Sequence, residues 1–125
     1  MSTLKQFEYQ QYLNIETFRK NGQGVKTPVW FAQEEGGLYI WTETTSGKAR
    51  RVRATPRVMI APSRADGSLL GEWLPALASA DDSPAALDHI RKLMRAKYGV
   101  MFAMFGLLGL FRRARYTSIR VEPEQ

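Results

Sequence analysis

Basic residues and hydroxyl groups are concentrated in one short stretch of this sequence, between Trp41 and Pro62. The segment from Thr44 to Arg64 contains no acidic residue and six basic ones, which are Lys48, Arg50, Arg51, Arg53, Arg57 and Arg64. The chain has 18 basic and 12 acidic residues, so the net charge of +6 belongs entirely to this segment and the remainder is balanced. A local positive charge of this kind is suited to binding an anion.

The same stretch predicts a helix that begins at an anion-binding position. Ser46 is a favourable N-cap for a helix over Gly47–Ala54, and Thr55-Pro56 would end it. Unpaired N–H groups and the positive end of the helix dipole lie at such a start, and Lys48 and Arg51 share one helix face. Further hydroxyls precede the cap at Thr42, Thr44 and Thr45. We therefore predict a phosphate site; the alternative is a solvated basic helix that only keeps the protein soluble.

Length and composition predict one soluble domain over residues 1–125. The 125 residues are 44% hydrophobic and 24% charged, which is ordinary for a globular chain with its own core. The absence of cysteine excludes disulfides, thiolate catalysis and cysteine-bound metal, and it suits a cytosolic protein. The N-terminus lacks the apolar core of a signal peptide, so we expect a cytoplasmic location.

Alternating patterns and turn residues predict several antiparallel strands. The predicted strands are Tyr12–Arg19, Val25–Ala32, Leu38–Glu43, Val58–Ala61, a bent Leu69–Ala80 and a final Tyr116–Val121. Short turns between antiparallel strands are typical of a barrel. We expect the second and third strands to form a hairpin that brings Thr27–Trp30 alongside Leu38–Trp41.

Pro28 lies inside the second predicted strand. Proline has no N–H for a strand ladder, so we place it on a sheet edge or beside an opening in the sheet. A ligand could then approach the backbone at this point, although a plain edge strand is the simpler interpretation.

The C-terminal half predicts a long helix. Ser83-Pro84 is a good helix start, and the apolar residues Leu87, Ile90, Met94, Met101 and Phe105 recur at helical spacing. The uncharged segment Tyr98–Phe111 has fourteen residues, whereas a bilayer span needs about 20. We expect it in the core or in a subunit contact; a membrane-surface segment is the alternative.

The usual catalytic constellations are missing from the sequence. His89 is the single histidine, so no metal site can be assembled around it, and Ser46 has no base at motif spacing. If the protein is an enzyme, a cofactor must carry its reaction.

Three strings in this order resemble the pyridoxamine 5'-phosphate oxidase-like, FMN-binding split β-barrel superfamily. They are GVKTPVWF, GLYIWTETTSGKARRVRATPRVMIAP and RAKYG. Within that superfamily they are most similar to the PPOX-class F420-dependent (deazaflavin-dependent) oxidoreductases, and the resemblance covers about Tyr12 to Val121. It implies a mainly β fold with flanking helices, a six-stranded antiparallel split β-barrel, and a homodimer that holds its cofactor at the subunit interface.

The resemblance also implies site residues. The strand along the cofactor ring would be Lys26, Thr27, Pro28, Val29 and Trp30. The phosphate would be held by Thr42, Ser46, Gly47 and Lys48, with Arg51 and Arg53 close enough to help. Gly47 stands where flavin-binding relatives often carry a basic residue, so the resemblance favours coenzyme F420 over FMN.

The implied function is transfer of hydride from reduced F420 to a small acceptor, with no residue assigned to catalysis. The alternatives are an FMN-dependent oxidase or reductase of the same fold, and a flavin- or deazaflavin-binding protein without turnover. A nucleic-acid-binding module would use the same positive charge, but no aromatic residue between Thr42 and Pro62 could stack on bases. We therefore expect no nucleic-acid partner and no stable membrane insertion.

Overall fold

The computed structural model of the protein describes residues 4–104 and 115–124. After a 3-10 turn at Lys5–Phe7, the elements of these residues are β1 (Tyr12–Phe18), β2 (Gly24–Trp30), β3 (Ala32–Glu34), β4 (Gly37–Glu43), α1 (Gly47–Ala54), β5 (Arg57–Ser63), β6 (Leu74–Asp81), α2 (Pro84–Tyr98) and β7 (Tyr116–Pro123). The predicted mainly β fold with flanking helices is thereby confirmed.

The strands form one antiparallel sheet in the order β2-β1-β5-β6-β7-β4-β3. β2 and β3 occupy its two ends, yet only Phe31 separates them in the chain. The chain itself therefore closes the sheet into a split barrel. The sheet has seven strands in the described residues, not the predicted six, because the strand predicted over Val25–Ala32 is divided at Phe31.

The predicted pairing of the second and third strands is wrong. β2 pairs with β1, in the register Tyr12↔Trp30 and Asn14↔Pro28, so Pro28 lies on an edge strand of the sheet as predicted. β4 pairs with β7 and with the short β3, where Ala32 lies opposite Tyr39. The break at Phe31 turns the chain, and only the residues beyond it reach β4.

Helix α2 causes the break at Phe31. The Phe31 N–H donates to the Tyr98 hydroxyl at 3.0 Å, and its carbonyl accepts from Lys97 Nζ at 2.8 Å. The Phe31 ring is buried and packs edge-on against Phe7. Side chains of a helix thus occupy the backbone groups that a neighbouring strand would otherwise pair with.

Two apolar layers hold these elements together. Large residues from β1, β4, β5, β7 and α1, together with Phe31, fill the barrel interior; they include Leu13, Ile15, Leu38, Ile40, Val52, Val58, Ile60, Ile119 and Val121. A second layer lies under α2, where Ile90 and Met94 pack with Ala32 and Phe102, and Trp30 and Trp41 lie against them. The contacts of α2 with Ala32 and Trp30 cover the outer face of the sheet. They hold the end of β2 in place.

Both helices begin where the sequence predicts. Helix α1 has the predicted bounds, and the Ser46 hydroxyl accepts from the Ala49 N–H at 3.2 Å. Helix α2 starts at Pro84 after its N-cap Ser83. Local capping residues fix these starts, because the bonds they make span only three residues.

The predicted continuous helix through Met101 and Phe105 is wrong at Gly99. This glycine has φ 60° and ψ −130° and ends α2, and residues 100–104 then form a new helical segment. The predicted apolar segment Tyr98–Phe111 lies outside the described residues from residue 105 onward. Among the helices that are described, none has the length and apolar character needed to cross a membrane.

The bent strand predicted over Leu69–Ala80 is also shorter than expected. β6 starts only at Leu74, and Leu69 makes a single bridge to Ser63. Gly71 and Pro75, which interrupt the predicted strand, fall on either side of its true start.

The environment of Lys97 predicts a pH-dependent contribution to stability. Burial of its ammonium lowers the Lys97 pKa from 10.5 to about 8, although the residue stays partly open to solvent. Between pH 8 and 10.5 the unfolded chain therefore holds the extra proton, and the free energy of unfolding rises with pH. Relative to a Lys97→Met variant, we expect wild type to gain about 1 kcal/mol over this interval, a value reduced for solvent screening.

Urea unfolding of wild type and Lys97→Met at pH 7.5 and 10.5 measures this difference. Lys92→Met removes an exposed lysine from the same helix, 3.5 Å from Asp88, and is the control. A difference between wild type and Lys97→Met that stays constant or falls with rising pH would contradict the expectation.

Candidate functional site

The start of helix α1 presents free backbone donors. Thr42 Oγ1 donates to Ser46 Oγ at 3.3 Å, and this Ser46 oxygen accepts from the Ala49 N–H. Within the described residues, no acceptor is found for the N–H groups of Gly47 and Lys48. These two donors lie at the positive end of the helix dipole, as an anion site requires.

Lys48 adds an uncompensated positive charge beside these donors. The residue is half-buried, and burial lowers the pKa of its ammonium, with a smaller contribution from the nearby Arg51. In the part of the chain that the structure describes, no carboxylate lies within salt-bridge distance of Lys48. A bound anion would supply the missing counter-charge.

The guanidinium of Arg51 lies over the helix start. Its Nε donates to the Thr17 hydroxyl at 2.7 Å, while its Nη1 would be only 2.7 Å from a Cβ placed on Gly47. Glycine at this position therefore lets the guanidinium approach the backbone. Burial lowers the Arg51 pKa, and the positive charges of Arg19 and Arg50 lower it further.

A cleft of about 450 Å³ opens beside α1. Its lining residues are Phe18, Arg19, Lys20, Gly47, Arg50, Arg51 and Ala54. The helix supplies the four residues of this set that recur at helical spacing, and the end of β1 with the turn after it supplies the rest. Arg19 and Lys20 are not among the site residues predicted from the sequence; their position as a basic pair directly after the first strand was the available signal.

A buried hydroxyl without a partner lies beside the cap. Thr117 is fully buried on β7 and pairs with Thr42 of β4, but its Oγ1 has no hydrogen-bond partner within the described residues. Buried polar atoms are rarely left unpaired in folded proteins. The Thr117 hydroxyl is therefore a polar group at this end of the barrel whose hydrogen-bonding capacity the described side chains do not use.

The residues predicted to lie along a cofactor ring share the edge strand β2. Thr27 and Val29 lie opposite Ile15 and Leu13, whose side chains fill the barrel. Lys26, Pro28 and Trp30 therefore lie on the other face. There the Lys26 ammonium lies 5.4 Å from the Trp73 ring, and the Trp30 ring stacks on Tyr98 at 4.2 Å.

The predicted phosphate residues do not all converge. Thr42, Ser46, Gly47, Lys48 and Arg51 lie at the start of α1. Arg53 instead donates to the Thr44 carbonyl at 2.7 Å and to the Thr44 hydroxyl, so its guanidinium is held at the loop before the helix.

His89 has a tethering contact. Its Nε2 lies 2.9 Å from Glu34 Oε1, and its ring packs edge-on against Tyr39, which connects α2 to β3 and β4. Among residues 4–104 and 115–124, no group of three or more potential metal ligands is found.

Similarity to known proteins is found at the level of the fold. No protein-family model matches the chain, and no curated protein does. Among solved structures, the heme storage protein HutZ of Vibrio cholerae is similar with a TM-score of 0.74 and 17% identity, over 97% of this chain and 87% of HutZ.

Two further solved structures share the same fold. A Listeria innocua protein assigned as a pyridoxamine 5'-phosphate oxidase is similar with a TM-score of 0.69 and 15% identity, over 98% of this chain and 90% of that one. A protein described as an F420 reductase has a TM-score of 0.63 and 15% identity, over 100% of this chain and 95% of its own. The chain has the split-barrel fold of the pyridoxamine 5'-phosphate oxidase type, as the sequence resemblance implied.

Proposed function

We propose that this split-barrel chain is an F420-dependent oxidoreductase that transfers hydride from the reduced deazaflavin to a small acceptor. The phosphate of the cofactor would bind at the start of α1, through Ser46, Gly47 and Lys48. The ring would lie along the edge strand β2. The F420 reductase of the same fold adds support to this choice of cofactor.

The observation that carries the proposal is the unneutralised charge around α1. Lys48, Arg50 and Arg51 on the helix and Arg19 and Lys20 directly after β1 have no carboxylate partner in the described part of the chain. The lowered Arg51 pKa reflects burial and the mutual repulsion of these groups. A cluster that costs stability in this way is best explained by an anionic ligand.

The size of the charge favours a ligand with more than one anionic group. A phosphate monoester such as FMN carries at most two negative charges, fewer than the five cations around this site. F420 adds carboxylates beyond its phosphate, and the cleft beside α1 continues from Gly47 toward Arg19 and Lys20. FMN remains the alternative cofactor of the same site.

The protein's own residues would act by orientation and exclusion of water. When bound, the deazaflavin supplies the hydride chemistry. Pro28 leaves the β2 backbone without one N–H, and Trp30 gives the strand a large apolar surface beside the partly exposed edge. A strand held in this way fixes which face of a flat ring meets the acceptor.

A binding role without turnover is the second candidate, because HutZ has this fold and is a heme storage protein. Nε2 of the single histidine, His89, already contacts Glu34, so this nitrogen would have to leave that carboxylate before it could ligate heme iron.

We further propose a homodimer. β2 is an edge strand of the sheet, and Val100, Met101 and Met104 are exposed apolar residues outside the barrel. A second copy packed against this surface would cover the edge of β2 and bury the exposed apolar residues.

Titration with four ligands tests the proposal. F420, FMN, heme and a single-stranded oligonucleotide are each titrated into the protein at about 0.15 M salt. We expect F420 to bind with a Kd in the micromolar range or tighter, and FMN to bind at least about tenfold more weakly. Light scattering on the same samples should give twice the monomer mass; a mass near 14.2 kDa would contradict the dimer.

Turnover separates the enzyme from the carrier. Reduced F420 is mixed with the protein and a conjugated quinone, and oxidation of the cofactor is followed by absorbance. Tight F420 binding without faster oxidation would favour a carrier. Tighter binding of FMN or heme would select that ligand, and binding of the oligonucleotide alone would overturn the cofactor site.

A further inference from the structure

The strings that carry the family resemblance include RAKYG, whose lysine and tyrosine have no part in the proposed anion site. In the fold they become Lys97 and Tyr98, the last two residues of α2. Their polar atoms reach the opposite end of β2 from the turn that connects it to β1, where they contact backbone groups.

The Tyr98 hydroxyl lies where the β1–β2 ladder stops. The last pair of that ladder is Tyr12↔Trp30, so the next pair in the same register would be Gln11 opposite Phe31. The hydroxyl instead accepts from the Phe31 N–H at 3.0 Å and lies 2.7 Å from the carbonyl oxygens of both Phe31 and Gln11. It therefore takes the place of the missing strand pair.

Lys97 completes this contact. A hydroxyl has one proton and can donate to only one of the two carbonyls at a time. The Lys97 ammonium donates to the Phe31 carbonyl at 2.8 Å and lies 3.6 Å from the centroid of the Phe31 ring. The Phe31 carbonyl thus keeps a donor when the Tyr98 proton is directed at Gln11.

The Tyr98 ring acts on the same strand end. It stacks on the Trp30 ring with centroids 4.2 Å apart and the planes within 4° of parallel. Hydroxyl and ring together fix both the backbone after Trp30 and the orientation of its side chain. Burial raises the Tyr98 pKa, so the hydroxyl keeps its proton through the neutral range.

We propose that Tyr98, supported by Lys97, is a positioning residue for the edge strand β2: it ends the β1–β2 ladder at Trp30, releases the chain toward β4, and holds Trp30 in place for the cofactor ring. This inference rests on the proposed function for its ligand. The ladder contact itself is a property of the protein alone, so the two can be tested separately.

Tyr98→Phe is the discriminating variant, because it keeps the stacked ring and removes only the hydroxyl. Tyr116→Phe is the matched control: the Tyr116 ring stacks on Trp41 at 4.5 Å, and no hydrogen bond of its hydroxyl is found among the described residues. Both variants are compared with wild type well below their melting temperatures.

Amide hydrogen exchange and ligand titration are the two measurements. In the ligand-free protein, Tyr98→Phe should speed exchange of the Phe31 amide about tenfold or more, while Tyr116→Phe leaves it unchanged. Tyr98→Phe should also weaken F420 and a tail-free deazaflavin by a similar factor of about five or more. Binding of inorganic pyrophosphate at α1 should not change, whereas a general loss of folding would weaken it as well.

The outcomes are distinct. Unchanged exchange at Phe31 overturns the ladder contact, and so does equal faster exchange in the Tyr116→Phe control. Faster exchange with unchanged F420 affinity, while wild type binds F420, overturns the positioning role and leaves the proposed function standing. If wild type binds no deazaflavin, the proposed function fails and the positioning of a cofactor fails with it.

Discussion

Replacing Lys48 with alanine is expected to weaken binding of F420 about ten- to hundredfold. A charge-assisted hydrogen bond to phosphate contributes about 1.5–3 kcal/mol, which corresponds to this range of affinity. The half-buried Lys48 side chain lies at the helix start, where the backbone N–H groups of residues 47 and 48 have no acceptor among the described residues. No carboxylate of the described residues competes for its ammonium. The phosphate would be its main counter-ion.

Arg57→Ala is the matched control for this variant. Arg57 belongs to the same positive segment of the sequence, but it lies beyond α1, and its Nη2 pairs with Glu124 at 2.6 Å on the surface. We expect a loss of less than about threefold, the size of a screened surface charge. Fluorescence titration of wild type and both variants measures the effect. Equal losses in the two variants would show that the segment acts only through general electrostatics.

Removing Arg19 and Lys20 together is expected to separate the two candidate cofactors. Both residues line the cleft that continues from the start of α1, and neither belongs to the cap, whose hydrogen bonds join Thr42, Ser46 and Ala49. An Arg19→Ala/Lys20→Ala variant should lose about tenfold or more in affinity for F420, because two charge contacts to its carboxylates disappear. FMN affinity should fall by less than about threefold.

The control for this double variant must remove the same net charge elsewhere. Arg64→Ala/Lys92→Ala does so, since both residues are exposed and lie outside the cleft. Titrations at two salt concentrations show whether the loss is local or screened. If both double variants weaken F420 equally, or if the Arg19/Lys20 variant weakens FMN as strongly as F420, the cleft does not bind the anionic tail.

Two stacked tyrosine–tryptophan pairs of the described residues have different surroundings in the sheet. Trp41 stacks on Tyr116, which forms the last pair of the β4–β7 ladder opposite Glu43, and a backbone bond from the Thr44 N–H to the Arg115 carbonyl at 2.9 Å continues the pairing beyond it. Trp30 with Tyr98 lies where a ladder ends. Only at the pair of Trp30 and Tyr98 do side-chain hydrogen bonds therefore take the place of strand hydrogen bonds.

Local chemistry determined much of this protein from its sequence. The bounds of α1 follow from Ser46 and from Thr55-Pro56, and the start of α2 follows from Ser83-Pro84. The two faces of β2 follow from its alternation. Each of these features depends on contacts within three or four residues, which the sequence displays directly. The anion site predicted at the helix start depends on the same local contacts and stays a prediction.

Tertiary structure decided which of these pieces meet. The division of the second strand at Phe31 depends on Tyr98, 67 residues further along the chain. No local sequence pattern at Phe31 predicts this division. Arg19 joins the cleft because β1 packs against α1, whereas Arg53 leaves the site because its guanidinium is bonded to Thr44. Strand partners and side-chain directions are set by long-range packing, since many registers satisfy the same alternating pattern until a distant side chain selects one.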